Sequence, residues 1–299
     1  MAEWDAEIVV GADLARALIR EQFPALGRTV EPFGSGWDNT AYLVDGELVF
    51  RFPRRAIAVP LMACETRVLP LLAPRLPIPI PNPQWAGEPT DAFPWPFAGY
   101  RRLHGQTADG VDLTDAERAA MAAPLGAFLR TLHDVPLDGL ELPADAFRRT
   151  DLGQRIPVIV QRLDLLEDAG LIADRRPWLR MFESGDLPAP AERSVPVHAD
   201  LYERHLLVDD AHRACGVIDW GDVHAGDPGL DLTLLYRFFP AAARDGFLRA
   251  YGDVDARTAR MARLRAAFHA VSLTVFAHET GDAPLVRAGV TALGYVLED

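Results

Sequence analysis

"VHADLYERHLLVDD", residues 197–210, and "CGVIDWGDVHAGDPGLDL", residues 215–232, decide the fold. The first stretch places His198, Asp200 and His205 within eight positions, between the apolar pairs Pro196-Val197 and Leu206-Leu207. The second carries Asp219 at the end of the apolar run Cys215–Ile218. Two short apolar runs joined by a turn around Asp210-Ala211 predict an antiparallel hairpin. Such a hairpin brings His205 and Asp219 together at one end, beside the loop that carries Asp200. A carboxylate next to a metal-capable pair is what phosphoryl transfer to a hydroxyl asks of a protein. One carboxylate orients the hydroxyl, and the pair holds a divalent cation on a triphosphate.

The rest of the sequence narrows the field. The chain has 299 residues, which suggests one large or two ordinary domains. Half of it is hydrophobic, enough for a sizeable core, yet no run reaches the ~18 apolar residues of a membrane span. A net charge of -13 argues against a nucleic-acid surface and suits a cationic small molecule as partner. The acidic N-terminus lacks a signal-peptide pattern. Cys64 and Cys215 lie far apart in apolar surroundings and read as reduced thiols. These features predict a cytosolic protein, a monomer or weak homodimer, with no nucleic acid and no membrane as partners.

Working outward from the hairpin, the two sides of the chain differ. Residues 12–23 have helical spacing; "RTVEPF", "TAYLV" and "ELVFRF" read as strands, the last two joined by an Asp45-Gly46 hairpin turn. A helix through Leu61, Glu65, Val68 and Leu72 should kink or end early at Pro70. "PRLPIPIPNP" must be extended, and "PFAGYRRL" reads as a strand entering a connector. From about residue 115 the chain is mostly helical. Strands followed by helices predict an α+β fold of two packed lobes with a cleft between them.

The N-terminal side has its own candidates. Gly34, Ser35 and Gly36 sit between two strands, where glycines let backbone N–H groups approach phosphates; an ordinary hairpin turn reads the same way. In "ELVFRF", Phe50 and Phe52 face one side of the strand while Val49 and Arg51 face the other. Arg51 is then a cation on the open face, with Glu65 of the next helix as its candidate partner.

Together these motifs resemble the antibiotic phosphotransferase family, the aminoglycoside and macrolide kinases of protein-kinase-like fold. The family's signature runs His-Gly-Asp-x-x-x-x-Asn, then Ile-Asp-[Trp/Phe], then Gly-Asp-Pro-x-x-Asp. Here Ala199 replaces the glycine and His205 the asparagine, a pattern closer to the 2″-aminoglycoside and macrolide branches. The resemblance implies a bilobal fold: an antiparallel-sheet nucleotide-binding lobe over residues 1–98, a hinge at 99–103 and a helical catalytic lobe over 104–299. It implies Asp200 as the catalytic base-like residue, His205 and Asp219 as ligands of two Mg²⁺ ions, and His198 and Asp231 as supports of the site. Nucleotide, ATP or GTP, would meet Gly34, Ser35, Gly36, Asn39, Arg51 and Glu65, with the base at the backbone of Arg101 and Leu103. The implied reaction moves the γ-phosphoryl group to a hydroxyl of an aminoglycoside- or macrolide-type antibiotic. A metabolic alcohol such as choline, homoserine or a sugar is the alternative acceptor, and a nucleotide-binding pseudokinase the non-catalytic alternative. The acids Asp151, Asp164 and Glu279, on segments expected to line the acceptor pocket, are candidates to meet a substrate amine. Asp227-Pro228 reads as a helix cap, His133 as a cation at a helix end, and Asp222 and His224 stay unassigned.

Overall fold

The computed structural model describes residues 6–183 and 187–298. The chain divides into two compact units. The first takes the chain up to Arg75, then Pro79–Leu103 and Trp220–Asp222; the second takes the remainder.

In the first unit, helix α1 (Ala12–Gln22) precedes strands β1 (Val30–Ser35), β2 (Asn39–Val44) and β3 (Leu48–Pro53). Helix α2 (Ala58–Leu72) follows, then β4 (Pro83–Gly87) and β5 (Phe97–Arg101). The five strands form one antiparallel sheet in the order β1-β2-β3-β5-β4. Alternation along β3 assigns its two faces. Leu48, Phe50 and Phe52 join Tyr42, Val44, Phe93 and Phe97 in a core that α1 closes with Ala15, Leu18 and Ile19. Gly99 lies opposite Phe50 on β3. A Cβ there would come 2.5 Å from the Phe50 ring, so only glycine lets that ring lie flat on β5.

Helix α2 runs through Pro70 and stops two residues later, at Leu72. The expected early break does not occur, because Val68, Leu69 and Leu72 are fully buried. Their burial outweighs the one hydrogen bond that proline removes so near the helix end. Strand β4 is an unexpected element: its prolines and short alternation hide it in the sequence.

The second unit contains small sheets and seven helices among its described residues. Strand β6 (Gln106–Thr107) leads to helices α3 (Asp115–His133), α4 (Leu152–Asp168) and α5 (Arg176–Glu183). Then come β7 (Val195–Val197), β8 (Leu206–Val208), β9 (Ala214–Val217) and β10 (His224–Gly226). Helices α6 (Thr233–Arg237), α7 (Ala241–Tyr251), α8 (Ala256–Thr280) and α9 (Ala283–Leu297) complete it. The hairpin is present as β8–β9, with β6 on its outer edge, and β7 pairs with β10. The principal core lies around α8, where Ala266, Ala267, Ala270 and Val271 meet Ile159 and Leu163 of α4 and Leu293 and Val296 of α9. Among the described residues no helix is long and apolar enough to cross a membrane.

Candidate active site

The loop between β7 and β8 is held from behind by one carboxylate. Asp231, fully buried, accepts the backbone N–H of His198 at 2.9 Å and that of Ala199 at 2.7 Å. It also accepts Nε2–H of His133 at 3.1 Å, while His133 Nδ1 meets the Tyr251 hydroxyl at 2.8 Å. Burial alone would raise the Asp231 pKa; the bonds from His133 and Ala199 win and hold it below the ordinary carboxylate range. His133, in the last turn of α3, is therefore a buried brace behind the loop.

His198 ties the loop to the hairpin. Its Nδ1 accepts the Asp200 N–H at 3.3 Å and its Nε2–H donates to Ile218 O at 2.9 Å. Burial pushes its pKa down, which keeps the ring neutral with the proton on Nε2. One imidazole thus fixes the backbone of Asp200 and the residue before Asp219. Asp219 itself sits at φ 62°, and Ala199 at φ 69°. Both lie in the left-handed region that disfavours a side chain. Ala199 stands where the resembling family has glycine.

At the end of the hairpin, His205 Nε2 lies 3.2 Å from Asp219 Oδ2. His205 Nδ1–H donates to Asp200 O at 2.7 Å, which aims Nε2 at Asp219. Burial would lower this histidine, but Asp219 and Asp200 together raise it to about 9.

Asp200 Oδ1 meets a second histidine that the sequence did not single out. His269 on α8 places Nε2 3.4 Å from it. The other ring nitrogen, Nδ1, takes an N–H from Arg237, so the proton on His269 is the one facing Asp200. Arg237 in turn donates to Glu203 at 2.8 Å, both side chains being completely buried. Tyr202 packs on His205 and edge-on to His269. No local motif flags these partners; only the long-range packing of α8 assembles them.

In the first unit, Arg51 Nη1 and Glu65 Oε2 form a 2.7 Å ion pair, both largely buried, on the sheet face opposite Phe50. Gly34 and Ser35 pair with Ala41 and Thr40, and Gly36 N–H bonds Asn39 O at 2.9 Å. Neither glycine has a positive φ, and the space where their Cβ atoms would lie is open. Asn39 Oδ1 is shielded and has no hydrogen-bond partner among the described residues. Arg101 ends β5 with an exposed side chain 3.7 Å from Glu47, and Leu103 is the last residue of that stretch of the unit.

Two of the three acids expected to await a substrate amine are otherwise engaged. Asp151 caps α4 and pairs with Arg148 at 2.6 Å, Asp164 pairs with Arg175, and Glu279 is exposed near the end of α8. Asp227 caps the turn before α6, as its sequence context suggests, through Gly229 N–H at 2.8 Å.

Residues 29–276 match the model of the APH phosphotransferase enzyme family. An aminoglycoside 3'-phosphotransferase of Streptomyces ribosidificus is 31% identical over 152 residues, spanning 46% of this chain and 54% of that protein. The structure of APH(2")-IIia with GDP and kanamycin is similar at 26% identity and a TM-score of 0.66, covering 94% of this chain and 97% of the other. The macrolide 2'-phosphotransferase MphH from Brachybacterium faecium, as apoenzyme, gives 25% identity and a TM-score of 0.63, with 94% and 98% covered. The antiparallel sheet of the first unit and the helical second unit are the mixed fold of those enzymes. The chain belongs to the phosphotransferase enzyme family.

Proposed function

We propose that this chain transfers the γ-phosphoryl group of ATP or GTP to a hydroxyl of a small-molecule acceptor. The observation that carries the reading is the cluster at the end of the β8–β9 hairpin. There two carboxylates, Asp200 and Asp219, flank one imidazole, with no contact longer than 3.6 Å. Asp200 accepts the hydrogen bond of the acceptor hydroxyl. Its backbone N–H is held by His198, and the Nε2–H of His269 faces its Oδ1. In a loose transition state such positioning contributes more than full proton abstraction.

The donor set also fits Mg²⁺. Among the described residues no three His, Cys, Asp or Glu side chains form an all-protein metal cage. One carboxylate suffices for an ion whose other ligands are phosphate oxygens and water, the ordinary arrangement for Mg²⁺; an imidazole is a weaker ligand for so hard an ion. Asp219 would hold it, with His205 joining once its Nε2 proton leaves. When bound, the ion supplies charge neutralisation on the phosphates. In the first unit, Arg51, oriented by Glu65, is assigned to the α/β-phosphates. Gly34, Ser35, Gly36 and Asn39 line the phosphate approach, and the backbone at Arg101 and Leu103 receives the base. GDP in the complex of APH(2")-IIia supports a purine nucleotide as donor.

Kanamycin in that same complex makes aminoglycosides the first acceptors to try, and MphH adds macrolides. A metabolic alcohol is the second reading, favoured here because Asp151 and Asp164 are already paired with arginines. The test is a phosphorylation screen with ATP and GTP against aminoglycosides, macrolides, choline, homoserine and sugars, read by mass spectrometry. A phosphorylated product from any of them is expected. Absence of product, together with no nucleotide turnover, overturns the reading in favour of a nucleotide-binding module.

A further inference from the structure

Several arginines gather between α4 and α8. A cavity of about 480 Å³ lies between the two helices, lined by Phe147, Arg148, Asp151, Arg155, Arg162 and Phe268 among others. Arg155 and Arg265 both place their guanidinium groups over the Phe268 ring, at 5.1 and 5.0 Å. Arg162 bridges to Ser272 on α8, and Arg149 comes from the loop before α4. Asp151 and Asp145 are paired with Arg148 and Arg149. Among the described residues, the remaining arginines, 155, 162 and 265, share no ion pair with a carboxylate. Arg155 donates to the carbonyls of Phe147 and Arg148, and Arg162 to a hydroxyl.

Arg265 is the informative one. It is 6% exposed, and its Nε and Nη1 have no hydrogen-bond partner among the described residues. A buried guanidinium with idle donors is costly unless an acceptor arrives. Burial, then Arg155 and Arg149, push its pKa down to about 9, which an added anion would reverse. Its place on the helix ties it to the chemistry. Arg265 precedes His269 by four residues, so the two share one face of α8 about 6 Å apart along the axis. His269 is the residue that touches Asp200 Oδ1.

We infer that the acceptor of this chain carries an anionic group, a carboxylate or a phosphate, received by Arg155, Arg162 and Arg265 about one helical turn from the hydroxyl held by Asp200. Guanidinium forks match such groups bidentately, whereas a polyamine would meet like charge. This rests on the phosphotransferase reading for the direction of the chemistry, not for the anion site itself.

The test is the Nε–Hε NMR spectrum of the arginines in the full chain, titrated at fixed ionic strength with inorganic phosphate, malonate and, as cation control, choline chloride. Saturable shifts of Arg155, Arg162 and Arg265 with phosphate or malonate are expected, and none with choline. Malonate and phosphate separate the two anion chemistries. Arg155→Gln, on the partly exposed side, is expected to weaken binding at least tenfold while the fold persists by circular dichroism. Shifts that never saturate, or saturate equally in Arg155→Gln, overturn the inference. Asp200→Asn removes a negative charge near Arg265 and is expected to keep or tighten the anion titration, so a chain that binds phosphate but turns over no nucleotide would fail the phosphotransferase reading alone.

Discussion

Ala199 shows how a single backbone angle shapes the loop. Its φ of 69° places a β-carbon where L-residues are disfavoured by roughly 1–2 kcal/mol, and the Asp231 carboxylate holds it there through the adjacent N–H groups. Glycine is free at that angle but loses more entropy on folding. Ala199→Gly is accordingly expected to stabilise the protein by about 1 kcal/mol, raising the calorimetric Tm by about 2 °C, with turnover retained. A lowered Tm would show that the angle carries no strain. The place of Asp200 beside the hairpin is legible from local spacing, and that of Asp231 behind the loop from the family resemblance. Those of His269 and His133 are not. Each is a lone histidine in a helix, and only tertiary packing sets it against Asp200 or Asp231.

At the scale of elements, capping and burial decide what the sequence reveals. The β8–β9 hairpin and the helices from α6 onward follow from periodicity. The three-residue β7 and β10, the proline-bearing β4 and the short α5 carry too few periods to be read, and β4 depends on pairing with β5. Helix α3 begins with a reciprocal cap: Thr114 accepts the Glu117 N–H, and Glu117 accepts the Thr114 N–H at 2.7 Å. His212 from the hairpin turn adds a bond at 2.6 Å. The bonds from Thr114, then that from His212, hold Glu117 down to about 2. A carboxylate lowered on folding stabilises above its unfolded pKa of about 4.3, and that contribution fades as pH falls through about 2. Glu117→Gln is expected to lower stability in urea at pH 7, and the gap from wild type to close between pH 4 and pH 2. A gap independent of pH would deny the carboxylate that role.

Across the whole molecule, buried charge is spent on the site. Arg237 and Glu203 are both fully buried, and the arginine spans from that pair to His269. Removing one member of such a pair strands the other in low dielectric, at about 3–5 kcal/mol. Glu203→Gln is expected to lower Tm by about 10 °C and to slow turnover with it, because His269 loses its fixed proton. An unchanged Tm would mean that water reaches Arg237. The net charge does not by itself locate the charge that an acceptor meets. A total of -13 points to a cationic acceptor; two of the three acids named for it, Asp151 and Asp164, pair with arginines, while Arg155, Arg162 and Arg265 gather between α4 and α8. Composition averages over a surface; a substrate meets only a part of it. Asp200 is the group proposed to orient the acceptor hydroxyl, a role that turnover and binding measured on one variant address together. Asp200→Asn is expected to reduce nucleotide turnover by about 100-fold or more while leaving nucleotide affinity unchanged. Turnover equal to wild type in that variant would contradict it.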